Sequence, residues 1–303
     1  MGRDVRLSLR EVFEAVELPQ MEEDPEASKL GRPPYPFKSM LNGLIMIPFG
    51  IASESELARK LKTIPSLAEE CGFEPGETPS QPTINRFKHK LGLKCFRKVF
   101  RRLVRKLMGN GVIEGISIVV DATELEALRG DPDARWGYAA KNEPFFGYKV
   151  HIAADFKSET PLEVRVTPAN QHENRMFKPL VKKAKHLDLK ASRICGDAIH
   201  DNKATRRFIR SLKAKAFIDQ NPRRSGAGEK KKPSKTYRRL KASVERVFSR
   251  AKELLNLEKL NVRGLRSVSI WVHLVLTAML AVATAAAEKG LESQIRCIRS
   301  IFG

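Results

Sequence analysis

The stretch "GISIVVDAT", residues 115–123, decides how the chain is read. Before it, residues 1–110 read as helical. Across it the apolar residues run together and are rich in β-branched types, which marks a buried strand. The run ends on Asp121. A buried, unpaired carboxylate is costly, so core packing does not explain an acid there.

Towards the C-terminus, "FFGYKVHIAAD" (145–155) and "PLEVRVTPAN" (161–170) predict two more strands, paired as a hairpin around "FKSET". "NRMFKPLVKKAKHL" predicts a helix, "ASRICGD" a strand, "NKATRRFIRSLKA" a helix and "KAFIDQN" a fifth strand. A helix containing Glu245 follows a basic loop, "NPRRSGAGEKKKPSK" (221–235). This order describes a mixed α/β layer with helices on both faces. A second acid, Asp197, ends "RICG". Turn chemistry is the ordinary reading of both aspartates, but Asp201 and Asn202 are better placed than Asp197 to cap the next helix. With the first and fourth strands as neighbours, Asp121 and Asp197 stand side by side.

Towards the N-terminus, "RPPYPF" (32–37) breaks the chain before an apolar helix at about 38–49, and Ser53 with Glu56 forms a capping-box pattern. "PTINRFKHKLG" starts at Pro82 and ends at Gly92. It carries Arg86, Lys88, His89 and Lys90 behind the turn-rich "CGFEPGETPSQ", which is compatible with a helix-turn-helix reader. In the helix 94–108, Phe96, Val99, Phe100, Leu103, Val104 and Leu107 make one apolar stripe. Its other face holds Arg97, Lys98, Arg101, Arg102, Arg105 and Lys106, expected to contact phosphates.

The whole chain of 303 residues carries 56 basic against 35 acidic side chains, a net charge of +21. Such a field attracts polyanions: nucleic acid or an anionic membrane. The four cysteines are scattered, without a C-x-x-C pair, which argues against a zinc site or disulfide framework and suits a reducing compartment. The N-terminus alternates charged with apolar residues and does not read as a secretory signal, so a cytoplasmic protein is expected. "IWVHLVLTAMLAVATAAA" (270–287) is long enough to span a membrane. Its alanines, with His273, Thr277 and Thr284, suit a buried core helix better, and no membrane partner is expected.

Within "LKASVERVFSRAKELLNL" (240–257), Glu245 interrupts a basic surface made by Lys241, Arg246, Arg250 and Lys252. Surface salt bridging is the bland explanation. Packed across the two strand ends, however, Glu245 completes a trio with Asp121 and Asp197. Three converging carboxylates repel one another unless a divalent cation neutralises them, which implies Mg²⁺ or Mn²⁺. Two such ions can activate a water or a 3′-hydroxyl and stabilise the leaving oxygen in phosphodiester displacement.

Taken together, "VVDAT", "FGYKVH", "TPANQHE", "GDAIHDN" and "VERVFSRAK" resemble the DDE-class transposases of prokaryotic insertion sequences. The resemblance spans about residues 30–290. It implies a ribonuclease H-like catalytic core with Asp121, Asp197 and Glu245 as catalytic and metal-binding triad. It also implies double-stranded DNA as partner (element ends and target), a homo-oligomer assembled on that DNA, and a nucleoid-associated location. The family's last signature has Tyr and Arg before the Glu and Lys seven positions after it. Lys252 matches; Lys241 stands where Arg is usual, and Arg238 takes the Tyr position, with Tyr237 shifted by one. Lys241, Lys252 and the loop 223–239, including Arg238 and Arg239, are then expected to clamp phosphates.

The implied organisation is a helical DNA-binding region (1–110), a catalytic domain (111–290) without a large insertion, and a C-terminal tail (291–303). A non-catalytic DNA-binding descendant and a nuclease that cuts without joining are the rival readings. His151, His172 and His200 are expected to be hydrogen-bonded or phosphate-contacting, and Asp155, Glu124 and Asp201 to serve turns and caps.

Overall fold

The computed structural model describes residues 6–17, 33–139, 143–220 and 232–301. Residues 221–231 of the basic loop lie outside them. Six strands form one mixed sheet: β1 (Ser117–Glu126), β2 (Arg135–Tyr138), β3 (Pro144–Asp155), β4 (Pro161–Pro168), β5 (Arg193–Gly196) and β6 (Lys215–Ile218). β1 pairs antiparallel with β3 and parallel with β5, and β6 pairs parallel with β5. β3 and β4 form the expected hairpin.

The first and fourth strands read from the sequence, here β1 and β5, are therefore neighbours. The fifth strand of that reading is β6. The sequence reading missed β2, four residues with a glycine and too short for alternation to show. It forms because β4 covers β3 only from Tyr148, leaving the edge at residues 144–147 open for Arg135–Tyr138.

Among the described residues, five α-helices precede the sheet: α1 (Leu9–Glu14), α2 (Phe37–Met46), α3 (Glu54–Thr63), α4 (Pro65–Cys71) and α5 (Gln81–Gly109). Ser53 caps α3 by accepting from the Glu56 N–H, but the Glu56 carboxylate accepts from Ala52 N–H, so the capping box is shifted by one residue. Gly92 lies inside α5 at φ 59°, ψ 171°, breaking it into two helical segments where the sequence placed a stop. Only a residue without Cβ adopts that backbone freely.

In the second half of the chain, α6 (Asn174–Lys185) and α7 (Lys203–Ser211) alternate with strands. α8 (Lys235–Ser249) packs on β1 and β5 and runs into a π-helical turn, Arg250–Leu254. The apolar segment is α9 (Leu265–Glu288), long and apolar enough to cross a membrane by length and composition. Its most apolar window is 94% buried inside the protein, against α5, β4, α1 and α2. Two acids from the β1–β2 connection cap it: Asp131 accepts from Gly264 N–H at 3.0 Å and Asp133 from Leu265 N–H at 2.8 Å.

One hydrophobic core runs through Phe13, Leu44, Phe96, Val119, Ile194 and Leu280, so the N-terminal helices and the sheet share α9 as a common wall. Ile298, in the C-terminal segment, is buried in the same core.

Candidate active site

β1 and β5 pair in register from Ser117 opposite Arg193 to Val119 opposite Cys195. Carrying that register two residues further sets Asp121 level with Asp197. Asp197 follows the end of β5, but β1 continues to Glu126, so Asp121 stands within its strand and not at the strand end expected from the sequence. Side chains alternate along a strand, so both aspartates project to one face of the sheet. Gly196, just before Asp197, lets α6 close against the strand end: a Cβ there would lie 2.6 Å from the Phe177 ring.

α8 crosses that face. Its Lys241 ammonium donates to Asp121 Oδ1 at 2.5 Å, with both side chains largely buried. Burial opposes the charge on Lys241, but Asp121, then Asp197 and Glu245, outweigh it and hold the ammonium pKa above its ordinary value. Asp121 contacts this ammonium directly, while Asp197 and Glu245 act on it through their charge. Glu245 follows Lys241 by one helical turn, on the same stripe of α8, and its side chain is exposed. Among the described residues no group of three His, Cys, Asp or Glu side chains is gathered closely enough to hold a metal. Lys241 occupies Asp121 instead. Asp121 and Asp197, level on neighbouring strands, are hard oxygen donors of the kind a divalent cation takes, whereas Glu245 is not gathered with them in this structure.

Asp197 departs from the sequence argument in one respect. Its Oδ1 accepts from Ala198 N–H at 2.8 Å and caps a short turn, Ala198–His200, so it does perform cap chemistry. Asn202 caps α7 through Thr205 N–H, and Asp201 binds Arg206. Asp155 is a buried turn acid, accepting from Gly115 N–H and from Ser158 N–H and Oγ–H. His151 pairs with Thr167 Oγ1 at 2.9 Å, and His172 Nδ1 accepts from Asn174 N–H. His200 packs against Phe177 with ring centroids 4.6 Å apart and planes tilted by 44°. Its buried Nδ1 has no hydrogen-bond partner among the described residues, contrary to the hydrogen-bonded role expected for it.

The expected DNA-binding residues divide. Arg86, Lys90, Arg238 and Arg239 are exposed. Lys88 is not displayed: its ammonium is buried in an ion pair with Glu54 of α3. Arg101 binds Glu163 of β4 at 3.1 Å, and Arg97 is half-buried, its guanidinium pKa lowered by burial and by Arg165 beside it. Lys106 pairs with Glu288 and Glu17. The helix 94–108 is amphipathic in sequence, but part of its basic face is an internal polar seam. Lys252 pairs with Glu258 at 2.6 Å.

Two features escaped the sequence reading. Glu159, in the β3–β4 turn, is buried at 3% exposure and receives Arg246 and Arg250. Lys241, expected to meet phosphate, binds Asp121. Neither contact leaves a short-range signal, since each joins residues far apart in the chain.

A mixed sheet with two aspartates level on neighbouring parallel strands, crossed by a helix bearing a third carboxylate, places the fold in the ribonuclease H-like class. The Transposase DDE domain family matches residues 115–281, more than half of the chain, and a second transposase domain (DUF772) matches residues 4–90. The chain belongs to the DDE transposases, enzymes that cut and rejoin DNA with divalent metal ions. No curated protein sequence matches it.

Among solved structures, a piggyBac transposase synaptic complex with hairpin DNA is similar at 11% identity and TM-score 0.50, covering 98% of this chain and 80% of that one. A Drosophila P element transposase strand transfer complex gives 12% identity and TM-score 0.31, over 87% and 61% of the two chains. A Mos1 transposase paired-end complex gives 11% and 0.25, over 77% and 83%. At 11% identity the likeness to the piggyBac structure concerns the fold.

Proposed function

We propose that Asp121, Asp197 and Glu245 hold the divalent cations, Mg²⁺ or Mn²⁺, with which this transposase cleaves its element's ends and joins them to target DNA. The observation that carries this reading is the level placement of Asp121 and Asp197 on neighbouring parallel strands, crossed by α8 with its Lys241 ammonium on Asp121 and Glu245 one turn further on. A positive charge, the Lys241 ammonium, already meets Asp121 where the cation is proposed to bind. When bound, the metal ions lower the pKa of an attacking water or 3′-hydroxyl and neutralise the leaving oxygen.

The chain's own side chains do the rest. Asp121 and Asp197 are fixed by parallel strands and Glu245 by α8, so the trio is carried on rigid elements. Release of Asp121 frees Lys241 to pair with a DNA phosphate, exchanging one anion for another. Arg238 and Arg239, exposed on α8, and Arg86 and Lys90, exposed on α5, meet the phosphate backbone of element ends and target. The acting form is a homo-oligomer on DNA, in the cytoplasm with the nucleoid.

The test is Glu245→Gln in a purified strand-cleavage assay with Mg²⁺ or Mn²⁺. Cleavage should fall by orders of magnitude while binding to element ends is retained, as loss of electrostatic stabilisation at a phosphoryl centre requires. Near-wild-type cleavage would return Glu245 to surface salt bridging.

A further inference from the structure

A cleft of about 380 Å³ opens beside α8, lined by Phe156, Lys157, Glu159, Arg239, Ala242, Arg246 and Arg296. Four of these side chains are basic and one is acidic. The acid is the unusual member. Glu159 is buried, and its backbone sits in the left-handed region at φ 54°. Its Oε1 accepts from Arg246 Nε at 2.8 Å and lies 3.5 Å from Arg296; its Oε2 accepts from Arg250 at 2.9 Å, and its backbone carbonyl from the same guanidinium at 2.7 Å. Arg296 also donates to the Lys157 carbonyl.

One carboxylate thus fixes three guanidiniums from two distant parts of the chain. A guanidinium has five N–H donors, so Arg246 and Arg296 keep donors in hand after these bonds. Both remain about half exposed, at 54% and 51% of the side chain. Arg239 has no acidic partner among the described residues and opens onto the same cleft. Ala242, between Arg239 and Arg246 on the helix, is small enough to leave the space between them open. Fixed donors around an open, net-positive space lose little side-chain entropy when an anion arrives, which distinguishes a built site from a loose basic surface.

From this geometry we infer that the cleft is a phosphodiester-binding site for the backbone of duplex DNA, with Glu159 as the residue that arrays its arginines. The site rests on the transposase reading and deepens it. Arg239, Ala242 and Arg246 form one stripe of α8, and Arg238, Lys241 and Glu245 the adjacent stripe, one residue round the helix. A DNA strand lying across α8 then presents one phosphate to the carboxylates and another to the cleft. The C-terminal segment gains a role by this assignment, since it delivers Arg296.

The experiment measures the affinity of the full chain for duplex DNA across a salt series. Each lost phosphate contact reduces the slope of log affinity against log salt by about 0.9. Arg296→Gln and Arg246→Gln should each lower the slope by roughly that amount, and Arg296→Lys should restore most of it. Lys190→Gln, the same charge change at an exposed lysine before β5, should leave the slope unaltered. Inorganic phosphate at matched ionic strength should compete weakly with DNA; strong competition would mean that a free anion, not the DNA backbone, is the ligand. Wild-type slopes in both arginine variants, or an equal fall in Lys190→Gln, would overturn the assignment. Absence of DNA binding by the unmodified chain would instead defeat the underlying transposase reading.

Discussion

Lys241 Nζ lies 2.5 Å from Asp121 Oδ1, joining α8 to the central strand across 120 residues of sequence. The contact ties the orientation of the helix that carries Glu245 to the strand that carries Asp121. A metal ion held by Asp121, as proposed, would have to compete with this internal ion pair.

Replacing Lys241 by Met should therefore act in two directions. Without metal, Asp121 and Asp197 lose their counter-charge and the protein is destabilised by about 1–3 kcal/mol. Added Mn²⁺ should then raise the melting temperature more in Lys241→Met than in the unmodified chain, because no ammonium has to leave. Thermal unfolding with and without Mn²⁺ measures both; an equal metal response in the two proteins would contradict the competition.

Glu245→Asp should fail as Glu245→Gln does. Shortening the side chain by one methylene withdraws the carboxylate from a site whose geometry is strict, particularly for Mg²⁺. Partial activity of Glu245→Asp in Mn²⁺ but not in Mg²⁺ would still agree with a ligand role. Full activity in both metals would not.

The charge distribution predicts where DNA affinity resides. Lys88 and Arg101 are engaged with Glu54 and Glu163, whereas Arg86 and Lys90 are exposed. Arg86→Gln and Lys90→Gln should each weaken binding and flatten its salt dependence. Lys88→Met should chiefly lower the melting temperature, through the Glu54 carboxylate left unpaired. Reversed outcomes would show that the N-terminal helices rearrange on DNA.

Buried histidines give stability a defined pH dependence. Burial pulls His151, His200 and His273 down to about 4 from an ordinary value near 6.5. The unfolded chain takes up these protons first as pH falls, so their contribution is fully present above about pH 6.5 and is lost towards pH 4. The melting temperature should fall steadily over that window. His273→Phe should make the fall shallower, whatever its effect at neutral pH; an unchanged slope would remove His273 from the account.

α9 offers a direct check on its place in the core. Leu280 is fully buried, and Leu280→Ala should cost about 2–5 kcal/mol in chemical denaturation. A helix held in lipid would show no such loss in the detergent-free protein.

Local signals carried much of this protein. The β-branched run into Asp121, the alternation in β3 and β4, the i, i+3, i+4 stripe of α5 and the break at Gly92 are short-range consequences of backbone sterics and burial, and each is legible over a few residues. Asp121, Asp197 and Glu245 were singled out by the family resemblance, and their joint role stays a proposal. What tertiary structure decided is every pairing between distant residues. An edge left open by β4 created β2. Glu54 and Glu163 turned Lys88 and Arg101 inward, while Glu159 drew together Arg246, Arg250 and Arg296. The lysine expected on phosphate was set on Asp121. A charged side chain looks the same in sequence whether it meets solvent, DNA or a buried opposite charge, because that choice depends on the local dielectric and on which partner the fold brings within a few ångströms.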